Sequence, residues 1–149
     1  FVAMVVRGKY LGVKPSDQAL SDFSIALDQT MNLLTRSGKT IHYFLPIAEP
    51  GFDPRLCAGS LPFGRKPPHP CTIDLAQDRV QSQALVDTAR SVLRRYPQVQ
   101  IMDPNDAICQ NGKCPILQQS HSIFKDDNHL SFFGSNLIGQ QLQLKAHSH

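Results

Sequence analysis

Leu20 to Ile47 reads LSDFSIALDQTMNLLTRSGKTIHYFLPI, and its two halves follow different periods. Leu20, Phe23, Leu27, Met31 and Leu34 recur at three- and four-residue steps, which puts them on one face of a helix from about Asp17 to Arg36. Ser37-Gly38 follows at once, and a glycine just past the last periodic residue is a natural helix stop. From Ile41 the pattern becomes a short, nearly continuous apolar run closed by Pro46, the mark of a buried strand. A helix that turns back into a buried strand is half of an α/β unit.

The flanking sequence supplies the rest. FVAMVV, Phe1 to Val6, is a second buried strand ahead of the helix. A further helix is expected from about Asp74 to Tyr96, with Val80, Ala84, Leu85, Ala89, Val92 and Tyr96 inward. VQIMDP, from Val99, reads as a third strand. A last helix spans about Ser131 to Lys145, burying Phe133, Leu137 and Leu144, with Leu130 packed just ahead of it. Strand, helix, strand, helix, strand and a terminal helix imply an α/β fold: a parallel sheet with right-handed crossovers in a three-layer sandwich. In such sheets active sites lie beyond the carboxyl ends of the strands. The stretch from about Ala48 to Ile73 is too long for a plain connector, so it is either a functional, lid-like insertion or a stapled surface loop.

The 149 residues suffice for one domain with a single core, and 41% hydrophobic content fits a globular protein. No run approaches the roughly 18 apolar residues of a membrane-spanning helix. The net charge of +3 is small, and the basic residues are scattered in pairs such as Arg65-Lys66 and Arg94-Arg95. Such a pattern is a solvated surface, so no nucleic-acid partner is expected. The chain opens on a core strand, without a signal peptide, as a portion of a larger domain would.

Cys57 and Cys71 flank a Pro- and Gly-rich segment, and Cys109 and Cys114 flank Gln-Asn-Gly-Lys. Four cysteines allow three connectivities. Local pairing is the simplest, because Asn111-Gly112 is a strong turn signal that brings its two thiols together. Zinc is the competing reading, but it wants shorter Cys or His spacing than His69 in PPHPC offers. Disulfides would place the domain in an oxidising compartment, the bacterial periplasm or the cell exterior. No histidine pairs at ligand spacing with Cys, Asp or Glu, so neither metal nor cofactor is expected. His42 reads as packed in its strand, His121 as a turn residue, and His147 and His149 as a frayed tail.

After a long polar loop comes FKDDNHLSFFGS, Phe124 to Ser135. Here Asp126 and His129 stand three apart, a spacing that brings both side chains to one side of a tight turn. Asp127, two residues from His129, points away. A carboxylate on Nδ1–H fixes the histidine tautomer and leaves Nε2 free to accept a proton. The following helix, which Ser131 can cap, disfavours a positive charge at its start. Ordinary capping, with both aspartates complementing the helix dipole, accounts for the same residues.

Asp126-Asp127-Asn128-His129-Leu130-Ser131 resembles the terminal Asp-x-x-His-Leu-Ser block of SGNH hydrolases. It is most similar to that of the extracytoplasmic SGNH domains fused to membrane acyltransferase-3 proteins, the bacterial sugar O-acetyltransferases. VAMVVRGKY, PIAEPGFDPRLCAGS and MDPNDAICQNGKC resemble three further segments of those domains in the same order. The resemblance implies an SGNH or flavodoxin-like fold, incomplete at its N-terminus, with residues 1–149 as the C-terminal portion of one domain. It implies a fused N-terminal membrane acyltransferase domain and a cell-surface glycan as partners. It makes His129 the general base and Asp126 its orienting acid, in serine-type acyl transfer or ester hydrolysis.

The expected nucleophile is a serine in Gly-Asp-Ser after the first strand of the fold, and this sequence has no Gly-Asp-Ser. Gly59-Ser60 and Gly134-Ser135 do not follow strands, so the serine is expected upstream of Phe1 and the isolated chain is expected to be inactive. Where relatives often carry Trp after an arginine, this chain has Gly8 after Arg7 and no Trp anywhere. Arg7 is a candidate for the oxyanion neighbourhood; a surface or salt-bridged arginine is the plainer reading. The rival class is a non-catalytic, disulfide-stapled α/β module that binds glycan or a membrane partner.

Overall fold

The computed structural model describes residues 2–5, 15–59 and 66–146, and they fall into two compact units. The first unit holds residues 1–46 and 79–103. Its sheet has three parallel strands, β1 (Val2–Val5), β2 (Ile41–Phe44) and β4 (Val99–Met102), in the order β1-β2-β4. Ile41 pairs with Val2 on one side and Val99 on the other, and the Leu45 amide extends the second ladder to the Met102 carbonyl at 2.9 Å. Because the order advances in one direction, crossovers of the usual right hand would put both helices on the same face, and both pack on one core.

Those helices are α1 (Asp17–Thr35) and α2 (Leu75–Leu93), of which residues from Arg79 onward belong to this unit. Ser16 caps α1 by accepting the Ala19 amide at 3.2 Å, and Gly38 ends its exit turn at φ +67°. Leu27 and Met31 of α1 meet Ala89, Val92 and Leu93 of α2 over Ile41 and Tyr43, alternate residues on one face of β2, and Leu45 just beyond it. Burial pushes the Tyr43 hydroxyl up to about 12. Tyr96 seals the rim by donating to the Asp28 carboxylate at 2.5 Å.

The α/β class and the parallel sheet hold, and the strands begin and end close to where the sequence puts them. The inner face of α2 holds only toward its C-terminal end, where Ala89 and Val92 are buried and Tyr96, just past the helix, packs against the core. Val80 is 63% exposed and Ala84 is exposed, whereas Ser82 is buried and Val86 and Leu93 line the core. An apolar-only stripe skips Ser82 and so comes out rotated about the axis in the first turns.

The second unit holds residues 47–78 and 104–149 and is built of short pieces. These are a 3₁₀ turn (Pro54–Cys57), β3 (Thr72–Asp74), α3 (Asn105–Ile108), β5 (Lys113–Pro115), β6 (Leu117–Gln118), β7 (His121–Ser122) and α4 (Phe132–Ala146). β3 pairs antiparallel with β5, and β6 with β7. Ile73, Ile108, Cys114, Ile116, Ile123, Phe124 and Ile138 form its core. A ladder of backbone bonds runs through it: Ile116 N–H to Cys71 O at 3.1 Å, Ile123 N–H to Ile116 O at 2.9 Å, and Ser131 N–H to Ile123 O at 2.9 Å. Buried Asn105 accepts the Ala48 amide at 2.8 Å, which satisfies a donor that water does not reach. The cysteines pair locally, Cys57 with Cys71 and Cys109 with Cys114. Asn111 and Gly112 supply the two positive φ angles of the hairpin turn inside the second bridge. Leu144, His147 and His149 lie outside the residues whose side chains are described.

Candidate active site

The site begins with a ladder that closes on itself. Phe124 and Leu130 bridge antiparallel, and the Lys125 amide donates to the His129 carbonyl at 2.8 Å. The turn between them is folded around one carboxylate. Asp126 Oδ1 accepts the Asn128 amide at 3.1 Å and the His129 amide at 2.7 Å. An aspartate binding amides two and three residues ahead is a local turn former. The same carboxylate meets His129 Nδ1, at 2.8 Å from Oδ1 and 3.0 Å from Oδ2. Asp126 thus sets the backbone turn and the ring orientation together, which gives the three-residue spacing its physical reason.

The electrostatics agree. Partial desolvation pushes the Asp126 carboxyl up, but the amides of Asn128 and His129 and the His129 ring outweigh it and leave the carboxyl below its usual range. Asp126 is therefore an anion at neutral pH. An ionised carboxylate only accepts, so Nδ1 carries the ring proton and Nε2 is the acceptor. Nε2 has no hydrogen-bond partner among the described residues, and the side chains of His129 and Asp126 are 44% and 43% exposed. The pair can accept a proton from a hydroxyl brought to Nε2 and return it, while the carboxylate stabilises the imidazolium.

Both capping and ring orientation are present, divided among different residues. Ser131 caps α4 by accepting the Gly134 amide at 3.0 Å, and its hydroxyl donates to the Ser122 carbonyl at 2.5 Å. Asp127 makes no bond to His129; its backbone carbonyl instead accepts the Gly51 amide at 3.0 Å. Phe132, the first residue of α4, is 85% exposed three positions after His129. His121 lies in β7, stacked on Phe133 with ring centroids 4.9 Å apart. Arg7 and Ser60 lie outside the described residues, and Ser135 sits on the exposed side of α4 rather than at a strand-to-helix turn. No group of three metal-ligating side chains occurs among the described residues.

Two supporting residues escaped the sequence reading. Gly51 has φ +69°, and Gly134 lies so close to Ile123 that no side chain fits. The Pro-Gly dipeptide at 50–51 was a turn signal, but nothing in it names Asp127 as the group it would hold. Gly134 carries no signal in the sequence, since glycine in a helix usually lowers rather than raises its standing.

The fold and the site define an α/β protein with a solvent-facing Asp–His pair on a tight, hydrogen-bonded turn. Residues 3–143 match the family of SGNH domains fused to AT3 domains, and the chain belongs to that family. No curated protein and no solved structure matches it. SGNH domains are hydrolases and acyltransferases in kind, and the family's description carries the fusion to AT3 membrane domains. That fusion and the two disulfides point to an extracytoplasmic setting. No helix among the described residues is long and apolar enough to cross a membrane.

Proposed function

We propose that this chain supplies the Asp/His part of a serine-type O-acyltransferase or esterase acting on a bacterial cell-surface glycan, on the periplasmic side of the inner membrane. The observation that carries the reading is the bond from His129 Nδ1 to a depressed carboxylate, with Nε2 left as the acceptor. The serine comes from a Gly-Asp-Ser segment outside these 149 residues. Its hydroxyl attacks the acyl carbonyl as His129 Nε2 takes the proton. The tetrahedral intermediate collapses, the leaving oxygen receives that proton, and an acyl-serine remains. A sugar hydroxyl or water then gives its proton to Nε2 and attacks the acyl carbon, and the proton returns to serine. Arg7 is a candidate for the oxyanion neighbourhood on the family resemblance alone, and it lies outside the described residues. The fused AT3 domain supplies the acyl group across the membrane.

The test compares this chain with one extended upstream through the nucleophile strand. Both are treated with a fluorophosphonate probe and a chromogenic acetyl ester, beside His129→Ala. The reading expects labelling and turnover from the extended chain alone, and loss of turnover in the substituted one. A folded but inert extended chain would favour a glycan- or partner-binding module. Labelling of the 149-residue chain would move the nucleophile inside it.

A further inference from the structure

We propose that Gly51 is a positioning residue for the Asp126–His129 pair, acting through the Asp127 carbonyl; this rests on the function proposed above. The turn that carries the pair is fixed at its base by the Lys125–His129 and Ser131–Ile123 backbone bonds. Its apex, residues 126–129, has only one hydrogen bond to a residue outside the turn among those described, from the Gly51 amide to Asp127 O at 3.0 Å. The held carbonyl lies between the acid and the base, so a shift there moves the Asn128 and His129 amides that organise the Asp126 carboxylate.

Gly51 reaches that carbonyl because its backbone is left-handed, at φ +69°. Space does not select glycine, since a Cβ there would meet nothing within 4 Å. Backbone conformation is the sole constraint, so residues tolerant of positive φ should serve and β-branched ones should not. The segment that Gly51 opens is itself held. Phe52 stacks on His69 with centroids 4.7 Å apart, Asp53 caps the 3₁₀ turn through the Arg55 amide at 3.0 Å, and the Cys57–Cys71 bridge closes the loop. Cys71 is in turn the first rung of the ladder that ends at Ser131. Both ends of the stapled loop therefore bear on the catalytic turn, one at its apex and one at its base.

The test uses the 149-residue chain with Gly51→Val and Gly51→Asn, read by amide hydrogen exchange and by the ¹⁵N signature of the His129 ring. In Gly51→Val, exchange at Lys125 and His129 should quicken by about tenfold, the scale set by placing a β-branched residue at positive φ. The Nδ1–H tautomer should lose its dominance, while Ile116 and Ile123 keep their protection. Gly51→Asn should restore both readouts, because asparagine adopts this conformation. Unchanged exchange and tautomer in Gly51→Val would overturn the assignment. So would equal damage from Gly51→Asn, or protection lost at Ile116 and Ile123 as well. None of these readouts needs ester turnover, so coupling in an extended chain that proves inert would sink the proposed function and leave the coupling itself standing.

Discussion

Gly134 is where one added carbon should cost most for its size. A Cβ there would lie 2.1 Å from the Ile123 carbonyl oxygen, 3.0 Å from its carbon and 3.1 Å from its Cγ2. An ordinary C···O approach is about 3.3 Å, so the carbonyl would have to retreat by about 1 Å. That carbonyl accepts the Ser131 amide at 2.9 Å, two residues from His129. Overpacking costs about 1–3 kcal/mol, and a weakened hydrogen bond adds about 1 kcal/mol. Against this, alanine gains at most about 1 kcal/mol over glycine in a helix. Gly134→Ala should therefore destabilise by about 1–3 kcal/mol. Gly139, in the same helix, has nothing within 4 Å of its Cβ. There the same substitution keeps only the propensity gain and should stabilise by about 0.5–1 kcal/mol. Urea denaturation of both variants reads the difference, and the midpoints should move in opposite directions. Stabilisation by Gly134→Ala comparable to Gly139→Ala would refute the close approach of α4 to Ile123.

Other substitutions and conditions follow the same logic. Gln119 and Ser120 hold φ +51° and +64° in the β6–β7 turn, a conformation that favours Asn-Gly, so Gln119→Asn with Ser120→Gly should raise the urea midpoint by the equivalent of about 0.5–1 kcal/mol. Replacing Cys57 and Cys71 by serine should cost about 3 kcal/mol and replacing Cys109 and Cys114 about 2 kcal/mol, following the loop each closes; calorimetry ranks the two, and the reverse order contradicts the loop argument. Among the described residues, three carboxyls sit below their usual range. Asp53 is held there chiefly by the Arg55 side chain and Asp74 chiefly by Lys113, while at Asp126 desolvation is outweighed by N–H donors. In the unfolded chain these groups take up protons near pH ~4, and in the folded one only lower, so the unfolded state binds more protons between those values. Their stabilisation is full above about pH 4 and is lost as pH falls through the depressed values; a urea midpoint that rises on acidification from pH 5 to pH 2 would contradict this.

The parts of the fold legible in the sequence are those with a period. Leu27 and Met31 of α1 are buried where their spacing puts them, and the apolar run from Ile41 forms β2, with Ile41 and Tyr43 buried and Leu45 buried just after it. In α2 the apolar period places Ala89 and Val92 correctly but fails in the first turns, where Ser82 is buried and Val80 and Ala84 are exposed. The elements between residues 105 and 122 are two to four residues long, too short to show any period, and backbone bonds and a disulfide define them instead. At the candidate site the Asp126–His129 spacing was legible because one turn spans it. The Gly51–Asp127 bond joins residues far apart in the chain, and the Gly134–Ile123 approach joins α4 to the segment before the site; their cause is a dihedral angle or a missing Cβ, which leaves no pattern in the sequence.

The Asp126 carboxylate, bonded to His129 Nδ1, fixes the ring with its proton on Nδ1 and Nε2 ready to accept. Long-range ¹H–¹⁵N NMR of the His129 ring at pH 8, in the native chain and in Asp126→Asn, tests it most directly. The Nδ1–H tautomer should dominate in the native chain and lose that dominance in Asp126→Asn. A native ring protonated mainly on Nε2, or one unchanged by the substitution, would contradict it.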